Sequence, residues 1–184
     1  ESFVAIQEAA RSGVTRVRTQ GGSEPVEIEQ ITSHLAADVI FRTLFSLPID
    51  DAVASQVFDE FRDFQRTQPI LNLAAFLPLP KWMPRFHRRA TKRHARNIRR
   101  LITKLTTERH AEIQNGTAPA DLATKIMLTA DPLTGEKFST EEMVDQVAIF
   151  FLAGHETSAS ALAWAIYLLA WDENAQEQIA EEVA

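Results

Sequence analysis

The segment "IFFLAGHETSASALAWAIYLLA", which begins at Ile149, sets Gly154, His155, Glu156, Thr157 and Ser158 in a row inside an apolar run. Burying such groups without partners costs several kcal/mol, roughly 2–7 for a hydroxyl alone. The cluster therefore either has a use or satisfies itself within a packed core. On a helix, Ala153, Gly154 and Thr157 stand three and four residues apart and share one face. Ala153 and Gly154 are small, so a large flat group can approach the backbone there, with the Thr157 hydroxyl in the same space. A glycine inside a helix costs about 1 kcal/mol relative to alanine, which a close approach would justify. Glu156 lies about 100° further round and reaches that face through water.

Two arrangements are open to the Thr157 hydroxyl. It bonds the Ala153 carbonyl four residues back and bends the helix, or it leaves that carbonyl free in a locally opened turn. An acid and a hydroxyl beside such a groove can pass protons inward from solvent. Other chemistries fail on spacing. A metalloprotease helix needs a second histidine four residues after the first, and Ala159 stands there. No Gly-x-Ser-x-Gly elbow and no phosphate-binding glycine loop occur. There is no cysteine, hence no disulfide, thiolate zinc site or cysteine nucleophile, and no metal ligand is assigned. A hydrolase using Glu156 and His155 remains a rival that would need neither reductant nor oxygen.

The element that must carry the cluster is long. Ser139 and Glu142 form a capping-box signature, and the pattern after it predicts a helix from about Thr140 to Trp171, roughly 30 residues or 45 Å. Its uninterrupted apolar runs, Val147 to Gly154 and Ala161 to Trp171, fall short of the roughly 20 residues a bilayer span requires. Upstream, "ESFVAIQEAARSG" reads as a helix end stopped by Gly13. "VTRVRTQGGSEPVEIEQ" offers two short alternating runs around Gly21 and Gly22, a candidate hairpin. Ile31, Leu35, Val39, Ile40, Leu44 and Phe45 line a helix ending near Pro48, and a further helix fits Asp51 to Gln68. The apolar stretch "PILNLAAFLPLPKWMP" is broken by four prolines and reads as a long loop of the kind that forms lids. A basic segment follows, with Phe86, Ala90, Ile98, Ile102 and Leu105 as a narrow apolar stripe. A short helix from Pro119 and a turn through Asp131, Pro132 and Gly135 lead to the long helix. Strands are too few for a sheet-based core, so the class is mainly α.

The 184 residues, 45% of them apolar and 24% charged, suit one soluble domain with a real core. A net charge of -6 argues against a dedicated nucleic-acid binder. Lys81 to His110 nevertheless holds eleven of the nineteen basic residues and a single acid, Glu108. That asymmetry marks a solvated helix face or a docking surface for an acidic partner or a membrane. Without an initiator Met, a signal or a closing cap, the chain reads as an internal piece, residues 1–184 forming a single incomplete domain.

"AGHETS", Ala153 to Ser158, resembles the cytochrome P450 motif Ala/Gly-Gly-x-Asp/Glu-Thr-Thr/Ser on the long central I helix. The flanking "DPLTGEKFSTEEMVDQVAIFFL" and "ALAWAIYLLAWDENAQEQIAEEV", and upstream "EIEQITSHLAADVIFRTLFSLPI", resemble the same family by order and character. The resemblance implies a partial P450 fold with a long central helix and at most a small β-hairpin. It implies haem as cofactor, with Ala153 and Gly154 against its distal face. Thr157 would hydrogen-bond oxygen held at the iron and help protons reach it, and Glu156 would be the acid of that relay. His155 occupies a variable position and receives no role. A parent monooxygenase would insert one atom of dioxygen into a hydrophobic organic substrate, using electrons from a redox partner, a ferredoxin or a flavoprotein reductase. The family's iron ligand is a cysteine thiolate, absent here, so the piece alone is expected to be inactive, and its exposed apolar long helix is expected to make it aggregate or depend on a partner. The style of the segments suggests a soluble, cytoplasmic bacterial-type enzyme, with membrane association open. An α-helical interaction module with a basic docking helix and no cofactor is the rival reading.

Overall fold

The structure, a computed structural model, describes residues 2–21, 25–67 and 89–183. Seven helices occur among them: α1 (Ser2–Gly21), α2 (Ile28–Phe45), α3 (Ala52–Thr67), α4 (Arg89–Asn115), α5 (Leu122–Leu128), α6 (Thr140–Leu169) and α7 (Glu173–Val183). The described residues form no strand, only an isolated antiparallel bridge between Ala130 and Lys137. The mainly α class follows from the sequence and is what the chain adopts.

The core lies where α2, α3, α4 and α6 meet. Phe41 and Phe45 of α2, Phe58 and Phe61 of α3, Ile98, Ile102 and Leu105 of α4, and Val147 and Phe151 of α6 are buried in one cluster. The expected capping box starts α6: the Glu142 N–H donates to Ser139 Oγ at 3.3 Å and the Ser139 N–H donates to Glu142 Oε2 at 2.9 Å. The helix then runs 30 residues to Leu169. It lies mainly on α2, with α4 along a second side.

Polar contacts fix how the helices enter and leave this core. Asp38, buried on α2, accepts from Ile49 N at 2.8 Å and Arg42 Nε at 2.9 Å, tying down the turn into α3. Arg109, buried on α4, donates to the Phe45 carbonyl at 2.8 Å, to Thr124 Oγ1 at 3.0 Å and to the Asp121 carboxylate. Glu112 lies 2.7 Å from Arg109 Nε as an ion pair without hydrogen-bond alignment. Asp121 also caps α5, accepting from Thr124 N at 3.0 Å. Between α3 and α4, Glu60 binds His94 Nδ1 at 2.6 Å and Asn97 Nδ2 at 2.9 Å, and the Thr91 hydroxyl donates to Thr67 at 3.0 Å.

Two expectations are corrected. Gly13 does not stop α1, which continues to Gly21. A Cβ at Gly13 would meet Leu35 Cδ1 at 3.3 Å, so the glycine serves the close crossing of α1 over α2. The hairpin expected around Gly21 and Gly22 does not form on its first side. Val14 to Gly21 is helical, and the hydroxyls of Thr15 and Thr19 bond back to Arg11 and Thr15 carbonyls at 2.9 and 3.1 Å. Packing on α2 outweighs the strand preference of the β-branched residues Val14, Thr15 and Val17. The bridge at Ala130 and Lys137 sits instead on the turn through Gly135, whose φ of +73° suits glycine. The proline-rich stretch 69–84 and Phe86 lie outside the described residues. On α4 the stripe of Ile98, Ile102 and Leu105 is buried as expected, joined by His94 and Arg109.

Candidate functional site

The middle of α6 has two unlike sides. Val147, Phe151, His155 and Ala159, four residues apart, form the buried ridge. Ile149, Phe150, Leu152, Ala153, Glu156, Thr157, Ser160 and Ala161 are exposed around the rest. The polar cluster of the sequence is therefore divided between core and open face.

Ala153 and Thr157 share the open face, and their partnership is direct. Thr157 Oγ1 donates to the Ala153 carbonyl at 2.7 Å, so of the two arrangements open to the hydroxyl, the bonded one is adopted. Its proton is held on that carbonyl and its lone pairs face outward. Glu156 is exposed on the flank toward α3, where Gln65 Nε2 donates to Glu156 Oε2 at 2.8 Å. Gly154 is half-buried. A Cβ added there would meet Ile40 Cδ1 at 3.4 Å, an ordinary contact with α2. Its backbone lies between the open face and α2, whereas Ala153 and Thr157 are fully on the open side.

His155 points the opposite way, 4% exposed. Its Nε2 is 2.9 Å from Ser33 Oγ of α2. Its ring stacks on Phe151 at 5.2 Å and 21° and meets the edge of Phe58 at 5.6 Å and 89°. Phe151 in turn stacks on Phe61 at 4.4 Å. Burial pushes the imidazole below its ordinary value of 6.5, against smaller upward effects from the Glu156 charge and the Ser33 contact. The ring is thus neutral at pH 7.

Sequence reasoning gave His155 no place, yet its four-residue register with Val147 and Phe151 already put it on the buried ridge. Ser33 and Gln65 carried no such signal, since they lie 122 and 91 positions from their partners. Among the described residues no group of histidines and carboxylates comes together to hold a metal ion, and no helix is long and apolar enough to cross a membrane.

Known proteins resemble this chain in sequence and fold. A haem domain described as that of cytochrome P450DA superposes with a TM-score of 0.73 at 21% identity, covering 96% of this chain and 37% of that one. A cyclooctat-9-en-7-ol 5-monooxygenase of Streptomyces melanosporofaciens is 29% identical, over 98% of this chain and 39% of its own length. A cytochrome P450 monooxygenase of Gibberella moniliformis is 28% identical, over 90% of this chain and 29% of its own. A bifunctional cytochrome P450/NADPH–P450 reductase of the same fungus is 29% identical, over 74% of this chain and 11% of its own. The chain thus spans well under half the length of each. The sequence model of cytochrome P450 matches from residue 3 to residue 184. With that match running nearly end to end, the chain belongs to the cytochrome P450 family.

Proposed function

We propose that these residues form the central helical part of a single haem-thiolate monooxygenase domain, with α6 as the wall facing the cofactor. The observation that carries this reading is the open face of α6. Ala153 adds no more than a methyl group there, Thr157 stands beside it, and Ile149, Phe150 and Trp164 flank it at 57%, 43% and 65% exposure. A broad apolar surface around two small residues and a hydroxyl calls for a cover, and the flat apolar ring of haem fits it. A thiolate that would hold the iron would come from outside these residues, which include no cysteine, and His155 faces the core. When bound, haem with a thiolate ligand supplies the activation of dioxygen.

Each residue contributes a limited task. Ala153 leaves room beside the backbone. Gly154 keeps its backbone bare between Ala153 and α2, where an added Cβ would meet Ile40 only at ordinary contact distance. Thr157 accepts a hydrogen bond on its outward lone pairs and, when the hydroxyl turns from the Ala153 carbonyl, donates one of its own toward the open face, so that any proton it passes on is replaced by the one it receives. Glu156 exchanges protons with solvent and carries them to the flank of that face, its Oε2 held by Gln65.

The parent enzyme acts on a hydrophobic organic substrate in the cytoplasm, with dioxygen and electrons from a ferredoxin or flavoprotein reductase. Fusion of a P450 to its reductase in one relative supports the flavoprotein route. A haem family leaves the cofactor-free interaction module without support. The test is the reduced carbon-monoxide difference spectrum of the protein expressed from its complete reading frame. A strongly red-shifted Soret band of thiolate-ligated haem is expected; a haem-free protein would overturn the reading.

A further inference from the structure

The buried ridge of α6 ends in a directional contact. Phe151 packs among Phe41 and Phe61, with ring centroids at 5.3 and 4.4 Å, and such apolar contacts tolerate small rotations of a helix about its own axis. A hydrogen bond does not, because it weakens steeply with misalignment. One such bond, between His155 and Ser33 at 2.9 Å, joins this part of α6 to α2. After His155 the ridge holds only the small Ala159, and no residue of α6 beyond it is buried. Among the described residues the imidazole therefore stands at the last point where α2 and α3 grip α6 by a large side chain. Phe58 closes it from α3 and the His155 ring continues the Phe61–Phe151 stack, so its plane is fixed as well as its position.

Thr157 and Glu156 follow within two residues. On a helix, a change in roll at His155 is carried into both at once, since they turn with it on the same rigid turn. We propose that the Ser33–His155 pair is a positioning device that sets the roll of α6, and through it the aim of the Thr157 hydroxyl and the Glu156 carboxylate. His155 itself touches neither substrate nor cofactor. This inference rests on the monooxygenase reading given above.

The test uses the full-length holoenzyme carrying Ser33→Ala, His155→Phe, both together, and Ser33→Thr. His155→Phe keeps the ring stack and removes the bond. Two readouts are taken: the share of consumed oxygen released as peroxide, and the low-spin to high-spin balance of the resting ferric Soret band. Each single variant is expected to raise the peroxide share about threefold, the order of one lost net hydrogen bond, and to shift the spin balance. The double variant should do no more than either alone, and Ser33→Thr should retain wild-type values. If Ser33→Ala lowers the melting temperature yet leaves coupling and spin state unchanged, the pair is merely structural and the proposal falls. Should His155→Phe fail to fold, Ser33→Ala alone decides. A wild-type protein lacking the thiolate Soret band would instead sink the monooxygenase reading on which this one stands.

Discussion

Thr157 and His155 sit two positions apart on α6 and answer to opposite sides of it. In the full-length enzyme, Thr157→Ala should leave oxygen consumption running while product falls and peroxide rises, because the group that places the proton is gone. Unchanged product per oxygen consumed would remove Thr157 from the role proposed for it. His155 makes a prediction about pH. Its folded pKa lies below the ordinary 6.5, so the folded protein binds this proton less readily than the unfolded chain. The stability it lends is complete above pH 6.5 and is lost as pH falls through the lowered value. His34, also lowered, first by burial and then by Arg16, acts with the same sign. Denaturant unfolding across about pH 7.5 to 5 should show stability falling with acid, and His155→Phe should flatten that slope. The motif Ala153 to Ser158 was legible because it is contiguous. Ser33 and Gln65 were not, because one sequence contains no trace of which distant side chains a fold brings together.

Helices were legible where their ends carry their own chemistry. Ser139 and Glu142 announce α6, and Ser139→Ala should cost about 1 kcal/mol by leaving a first-turn N–H unsatisfied. Thermal unfolding would read this as a small drop in melting temperature. The α1 region misled for a physical reason: Val14, Thr15 and Val17 are β-branched and favour strands, yet the three-residue spacing of the valines is helical, and Gly13 and Ala9 let the segment pack on α2 as a helix. Nor did charge patterning foretell that Arg109, one of many basic residues on α4, is drawn inside to join α2, α4 and α5. Asp121→Ala should therefore cost far more than a surface change. Removing one partner of a buried ion pair typically costs about 3–5 kcal/mol, here with the α5 cap lost as well. Denaturant titration of the full-length protein would check it; a loss under about 1 kcal/mol would mean that the pair is not held as described.

The assembled helices leave one side of α6 bare, and the apolar residues there have no cover among the described residues. Trp164, Tyr167 and Trp171 are 65%, 51% and 78% exposed, touching edge to face in sequence. The 184-residue chain prepared alone should bind a hydrophobic dye strongly and associate as its concentration rises, whereas the full-length protein should do neither. Light scattering and dye fluorescence on both preparations give the comparison. A monomeric, dye-silent isolated chain would show that these aromatic residues find their cover within the 184 residues. The mainly α class was readable from periodicity. The open face of α6 was legible at Ala153 and Thr157 but not at Phe150 and Phe151, which are equally apolar and told apart only by the packing of α2 and α3.

The 3.0 Å contact between the hydroxyls of Thr67 and Thr91 means that the chain departs from α3 and rejoins at α4 at nearly the same point. A connection with adjoining ends closes at an entropic cost that grows only as the logarithm of its length, about 0.6 kcal/mol per doubling. Segments of very different length and composition can thus be exchanged between those two threonines without repositioning the helices. The connection can change while α6 stays as it is. A laboratory graft could use the same two anchor points.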